Sequence, residues 1–351
     1  MELLDCLKRA VESGASDLFV VAGGPVSLKR EGRICPLTEE RLPPHETERL
    51  IRGIYEMAGR NMARYLDTGD DDFSFALPGT ARFRVSTYRQ RGSLAAVVRV
   101  VAFEIPDWEK LGIPSAVMDL AEVKSGMVVV CGTAGSGKST TQACIIDRIN
   151  RTRQAHIITL EDPIEYLHRD RQSIVSQREI AIDTADYLSA LRACLRQAPD
   201  VILLGEMRDY DTIRTAMSAA ETGHLVITTL HTRGAVNSID RIADSFPAAQ
   251  QPQVRAQLAA VLHSVVSQQL LPDRSGGLVP AFELMHTNGA VRNMIRECKT
   301  YQIAGVISTG AAEGMLDMDA SILALYQAGR ITAETALLYA DAPEQLRRRL
   351  G

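Results

Sequence analysis

The chain has 351 residues, long for one ordinary domain and suited to two. Hydrophobic residues make up 46% and charged residues 23%, a globular balance with ample material for a core. A formal net charge of −4 gives no bulk attraction to nucleic acid or an anionic membrane, and no run reaches the roughly 18 apolar residues of a membrane span.

The opening "MELLDCLKRAVESG" carries two acids in its first five residues and no apolar core, so it does not read as a secretory signal. It predicts a short helix ending at Gly14. A strand follows at 17–21 ("DLFVV"), then a helix over 44–66. Strands are predicted at 72–77, 81–90 and 94–101 from their alternating or β-branched texture. Residues 1–103 thus read as a small α+β domain. The stretch 104–112 lies in "EIPDWEKLGIP", with two prolines, a glycine and no strong period, and is expected to be a linker. From 113 the texture changes to short aliphatic strands alternating with helices, as in a parallel sheet covered on both faces. The strands are 127–131, 156–160, 201–205 and 224–229. A helix over 209–222 starts at Asp209, repeats Ile213, Ala216, Met217 and Ala220, and stops at Gly223. The core is expected over 113–287 and a mostly helical region over 288–351. There, Val291, Met294, Ile295 and Cys298 fall on one apolar helix face, with Arg292 and Arg296 on another. The six cysteines form no C-x-x-C pair, which argues against a zinc site or disulfide framework and suits a reducing cytosol. Cys131 and Cys144 read as packed core thiols.

Between the apolar run "GMVVVC" and a helical stretch lies "GTAGSGKSTT" at 132–141, which fills the pattern G-x-x-x-x-G-K-S/T. Gly132, Gly135 and Gly137, with Thr133, Ala134 and Ser136 between them, let backbone N–H groups curl into an anion nest. Lys138 supplies a mobile charge for the outer phosphates. The Ser139 hydroxyl suits magnesium, and Thr140 continues the nest into the helix. The loop is expected to bind ATP with Mg²⁺.

Hydrolysis also needs acids near the metal and the water. Glu206 follows the strand of "PDVILLGEMRD", where its carboxylate reaches the magnesium shell through a water. Glu161, Asp162 and Glu165 sit at the end of the 156–160 strand, and one of the two glutamates is expected to orient and deprotonate the attacking water. Open parallel sheets bind ligands at strand carboxyl ends, so these acids are expected to face the phosphates. In "GHLVITTLHT", His224 begins a strand and His231 follows it; either is expected to sense the γ-phosphate or relay its state.

These four segments, in this order, resemble the secretion-ATPase superfamily, with its Walker A loop, Asp box, Walker B glutamate and His box. Within it the chain is similar to the type IV pilus retraction ATPases, the PilT family, through "GASDLFVVAGGPVSLKREGRI" (14–34), "ARFRVSTYRQ" (81–90), "ALRACLRQAPDVILLGEMRD" (190–209), "AAETGHLVITTLHT" (219–232) and "AVRNMIRE" (290–297). The resemblance covers essentially the whole chain. It departs where the loop lacks the usual Pro-Thr, where "DLFV" lacks a histidine, and where Ser86 replaces asparagine. It implies a PAS-like N-terminal domain, a RecA-like P-loop ATPase core and a helical C-terminal region. It further implies a homohexamer that hydrolyses ATP at subunit interfaces, with Arg84 and Arg99 approaching a neighbour's nucleotide. The implied work is pilus retraction from the cytoplasmic face of the inner membrane, through a platform protein and, indirectly, the pilin fibre. A pilus assembly or type II secretion ATPase is the alternative, but those carry a tetracysteine zinc module that this chain lacks. A RecA-like nucleic-acid motor would need a basic, aromatic-bearing channel, which an aromatic content of 5% does not favour. A regulator without turnover is disfavoured by the full set of acids.

Overall fold

The computed structural model describes residues 2–30, 32–101, 105–207 and 209–350. The chain divides into two compact units, Met1–Glu104 with Glu165–Leu167, and Ile105–Ile164 with His168–Gly351. Residue 104, the first of the expected linker, and residues 102 and 103 before it lie outside the described residues.

The first unit runs α1 (Leu3–Glu12), β1 (Asp17–Val21), β2 (Ser27–Arg30), β3 (Arg33–Pro36), α2 (Pro44–Met57), α3 (Ala63–Thr68), β4 (Asp70–Leu77), β5 (Ala81–Gln90) and β6 (Ser93–Val101). Its six-stranded sheet has the order β3-β2-β1-β6-β5-β4 and every pair is antiparallel. Alternation decides which face is core. Ala81, Phe83, Val85 and Thr87 of β5 are buried, and the first three join Leu50, Ile51 and Ile54 of α2 and Leu3, Leu7 and Ala10 of α1. Arg82, Arg84 and Ser86 take the other face. The expected helix over 44–66 breaks: Gly59 turns at φ +61, and Asn61 Oδ1 accepts the Ala63 amide at 2.7 Å to start α3. The β2–β3 hairpin was not expected; its strands are four residues each and Gly32 closes the turn at φ +76.

The second unit begins with α4 (Trp108–Leu111) and α5 (Ser115–Met118), so the expected linker carries a helical turn. Ile105, Trp108 and Leu111 pack on the core beside it. Then come β7 (Gly126–Cys131), α6 (Lys138–Thr152), β8 (His156–Glu161), β9 (Ile174–Glu179), α7 (Tyr187–Cys194), β10 (Val201–Leu204), α8 (Tyr210–Glu221), β11 (Leu225–Leu230) and α9 (Ala235–Asp244). The chain continues through α10 (Gln251–Val261), β12 (Leu262–Pro272), β13 (Leu278–His286), α11 (Gly289–Arg296), α12 (Ile303–Thr309), α13 (Met318–Gln327), α14 (Ala333–Tyr339) and α15 (Pro343–Leu350). The seven-stranded sheet has the order β13-β12-β7-β11-β10-β8-β9, parallel except for β13. Its central strands are buried on both faces, which is why they read as unbroken aliphatic runs.

α8 starts where Asp209 Oδ1 accepts the Thr212 amide at 2.9 Å, and it buries Ile213, Ala216, Met217 and Ala220. α11 is capped by Asn288, whose Oδ1 accepts the Val291 amide at 2.9 Å. Val291 and Ile295 are buried there, while Arg292 and Arg296 are exposed. Cys298 does not extend the apolar face: α11 ends at Arg296, and Cys298 is exposed at φ +59. Cys131 and Cys144 are buried as expected. Among the described residues no helix is long and apolar enough to cross a membrane.

Candidate active site

The phosphate loop leaves β7 at Cys131 and enters α6 at Lys138, so its amides sit at the helix N-terminus, where anions are favoured. Gly132, Gly135 and Gly137 all have positive φ, at +150, +76 and +88. Two of these positions also lack room: a Cβ on Gly137 would lie 2.8 Å from Gln268 Nε2, and one on Gly132 would strike Gln268 O and Ser136 Oγ. Lys138 is nearly buried, and its Nζ donates to the carbonyls of Gly132 and Thr133, each at 2.9 Å. The ammonium therefore lies across the loop it serves. Ser139, half-buried on the first turn of α6, and Glu206 offer the hard oxygen donors that Mg²⁺ takes.

The strand registers bring Glu206 and Glu161 to the same sheet edge. Leu230 pairs with Cys131, and Leu204 pairs with both Thr228 and Leu160. Gly205–Glu206 follow β10, His231 follows β11 and Glu161 ends β8, all at strand carboxyl ends. Glu206 is nearly buried, and its Oε2 is 3.3 Å from His231 Nε2. Thr229 Oγ1 donates to the Gly205 carbonyl, fixing the turn that carries Glu206. Glu161 Oε1 accepts from Thr159 Oγ1 at 2.6 Å and Gln177 Nε2 at 3.2 Å. Asp162 is exposed. Glu165 is exposed and falls in the first unit.

One predicted residue of this unit, His224, is not brought to this edge. His224 precedes β11, which starts opposite Gly126, so it lies at the opposite end of the strand, on the order of 20 Å from His231. Its Nδ1 lies 2.9 Å from the Ala219 carbonyl. The expectation that His224 senses the γ-phosphate in its own chain is therefore corrected. Arg84 and Arg99 belong to the first unit, where they are cross-strand partners on β5 and β6, and Arg99 Nε donates to Asp17 Oδ1 at 3.0 Å.

Sequence reasoning missed β12 and β13 and the polar residues they carry. Gln268 lines the loop, and its Oε1 accepts from Thr141 Oγ1 at 2.7 Å. Arg233 lines a cleft of about 380 Å³ beside Ala134, Leu270, Leu278, Leu338 and Tyr339. Glu283 is buried in "VPAFELMH", and that carboxylate amid apolar residues was the available signal.

Burial pushes the Glu283 carboxyl up from 4.5 to about 7; the Ala235 N–H opposes this, and Asp341, Asp317 and Asp319 reinforce it. From 4.5 to about 7 the folded chain thus holds a proton that the unfolded chain has released. Stability should fall as pH rises through that window, by on the order of 3 kcal/mol, and stay flat above it with respect to this group. Glu283→Gln should remove that slope in urea titrations at about pH 5 and about pH 8. An unchanged slope would assign the effect to other groups.

A family model described as type II/IV secretion system protein matches residues 2–312. The chain is similar to the type IV pilus retraction ATPase PilT of Pseudomonas aeruginosa, 41% identical over 98% of this chain and 99% of that protein. It is also similar to a twitching motility protein of Neisseria gonorrhoeae, 48% identical over 78% of this chain and 74% of that one. Among solved structures, the crystal structure of a pilus retraction motor, PilT with bound ADP, superposes with a TM-score of 0.91 at 44% identity, covering 99% of both chains.

Proposed function

We propose that this chain, which belongs to the family of type II/IV secretion system proteins, is the ATPase motor of type IV pilus retraction. It is an ATP hydrolase, and the observation that carries the reading is the glycine loop with Lys138 lying across it, at the sheet edge where Glu206 meets His231. Amides of residues 132–137 and the Lys138 ammonium hold the phosphates. Thr140 follows on the first turn of α6. Ser139 and Glu206 would hold Mg²⁺, which when bound would neutralise phosphate charge. His231 reads the state of the site through Glu206. Either Glu161 or Glu165 takes the proton of the attacking water, and Glu→Gln at each position, with ATP binding measured separately, distinguishes them.

The six-stranded first unit supports reading residues 1–103 as the PAS-like domain, joined by 104–112 to a RecA-like core over 113–287 and a helical region over 288–351. We infer a ring-shaped homohexamer in which Arg84 and Arg99 complete a neighbour's site as arginine fingers. Arg99 is paired with the buried Asp17, but its own side chain is 62% exposed and so open to a neighbouring subunit. The motor works at the cytoplasmic face of the inner membrane on a platform protein, and through it on the pilin fibre. Cells lacking the gene should assemble pili that fail to retract, as seen by live imaging of labelled fibres. Normal retraction in the deletion strain would overturn the assignment.

A further inference from the structure

β12 runs on past the end of β7, where Ser267 pairs with Cys131. Successive side chains on a strand point to opposite sides. Gln268 accordingly meets the phosphate loop, while Ser267 and Gln269 meet the segment that follows His231. Gln269 Oε1 accepts from Arg233 Nη2 at 2.7 Å, and Ser267 Oγ accepts from the Gly234 amide at 3.0 Å. Glu283, opposite Ser267 on β13, accepts the Ala235 amide with Oε1 at 2.7 Å. Three consecutive residues are thus held by three side chains of one hairpin. Gly234 permits it, because its φ of +80 turns two successive amides toward two different acceptors.

The segment needs such a hold. The His231 side chain is 59% exposed, so packing does not fix the ring and its backbone must. A carboxylate is an expensive acceptor to bury, and Asp317, Asp319 and Asp341 oppose its charge further. We propose that Glu283 and Ser267 are positioning residues for ATP hydrolysis, clamping Gly234 and Ala235 so that His231 stays against Glu206. The inference rests on the reading of His231 and Glu206 as members of the hydrolytic site.

The test measures kcat, KM and nucleotide affinity on the full chain, with thermal unfolding alongside. The variants are Glu283→Ala, Glu283→Gln, Ser267→Ala and His231→Ala, and each of the first three combined with His231→Ala. Glu283→Ala and Ser267→Ala should each lower kcat about ten- to a hundred-fold while nucleotide affinity moves less than about three-fold. Glu283→Gln should recover most of kcat, since its amide oxygen accepts the same N–H. Added to His231→Ala, the clamp variants should lower kcat no further, because they act through His231. Should Glu283→Ala fail to fold, Ser267→Ala carries the test. Losses that multiply with His231→Ala, or wild-type kcat in the clamp variants when His231→Ala is impaired, would overturn the clamp alone. Wild-type turnover by His231→Ala would overturn the assignment of His231 and the clamp with it.

Discussion

Lys138→Ala will lose ATP turnover by at least roughly 10²–10³-fold, the scale on which one charged or hydrogen-bonding partner of a developing oxyanion acts. Phosphoryl transfer offers the protein little covalent work; positioning and charge stabilisation supply most of the rate. Lys138 holds its ammonium 2.9 Å from two loop carbonyls, so the charge is already in place before phosphate arrives and little reorganisation remains. The variant should still fold, since alanine suits the first turn of a helix and the loop's shape rests on its glycines. Turnover near the wild-type rate would refute the site. The same variant tests assembly. Mixed with Arg99→Ala subunits, Lys138→Ala subunits should regain turnover above the sum of the two alone, because each type lacks what the other supplies across an interface. A fully active monomer at dilution would sink the ring.

Arg292→Ala combined with Arg296→Ala should abolish pilus retraction in cells while leaving folding, ring formation and most ATP turnover intact. α11 separates its tasks by face. Val291 and Ile295 are fully buried and anchor the helix, whereas the two arginines are exposed one turn apart. A change on the polar face removes charge that a partner would grip and touches nothing in the core. Ile295→Ala should act through stability, costing about 2–5 kcal/mol for a fully buried side chain. Retraction imaging beside turnover of the purified protein separates the two. Normal retraction by the arginine pair would remove the coupling role, and lost turnover would assign the helix to the catalytic unit.

The residues of this site differ in how far the sequence discloses them. The loop and the strands β7, β8, β10 and β11 are legible, because a phosphate nest needs glycines at fixed spacing and a doubly covered parallel strand has no polar face. β12 is not: Ser264, Ser267, Gln268 and Gln269 interrupt its apolar pattern, since they bond His286 of β13, Gly234, Thr141 of α6 and Arg233 in turn. The two histidines of the β11 region look alike in sequence. Only the parallel pairing of β11 with β7 shows that His231 lies beside the loop and His224 at the far end. The break between α2 and α3 was hidden because residues 44–66 keep a helical apolar period across Gly59.

α11 ends beside its own attachment point for a reporter. Cys298 is exposed two residues past the helix, Cys35 is half-buried, and Cys6, Cys131, Cys144 and Cys194 are buried. Burial pushes the Cys131, Cys144 and Cys194 thiols up to about 11, 12 and 11, which leaves them almost no thiolate at neutral pH. A maleimide dye applied briefly to the native chain would therefore favour Cys298 over the four buried thiols. Its fluorescence would follow this corner of the molecule through a cycle of turnover with no cysteine removed or introduced.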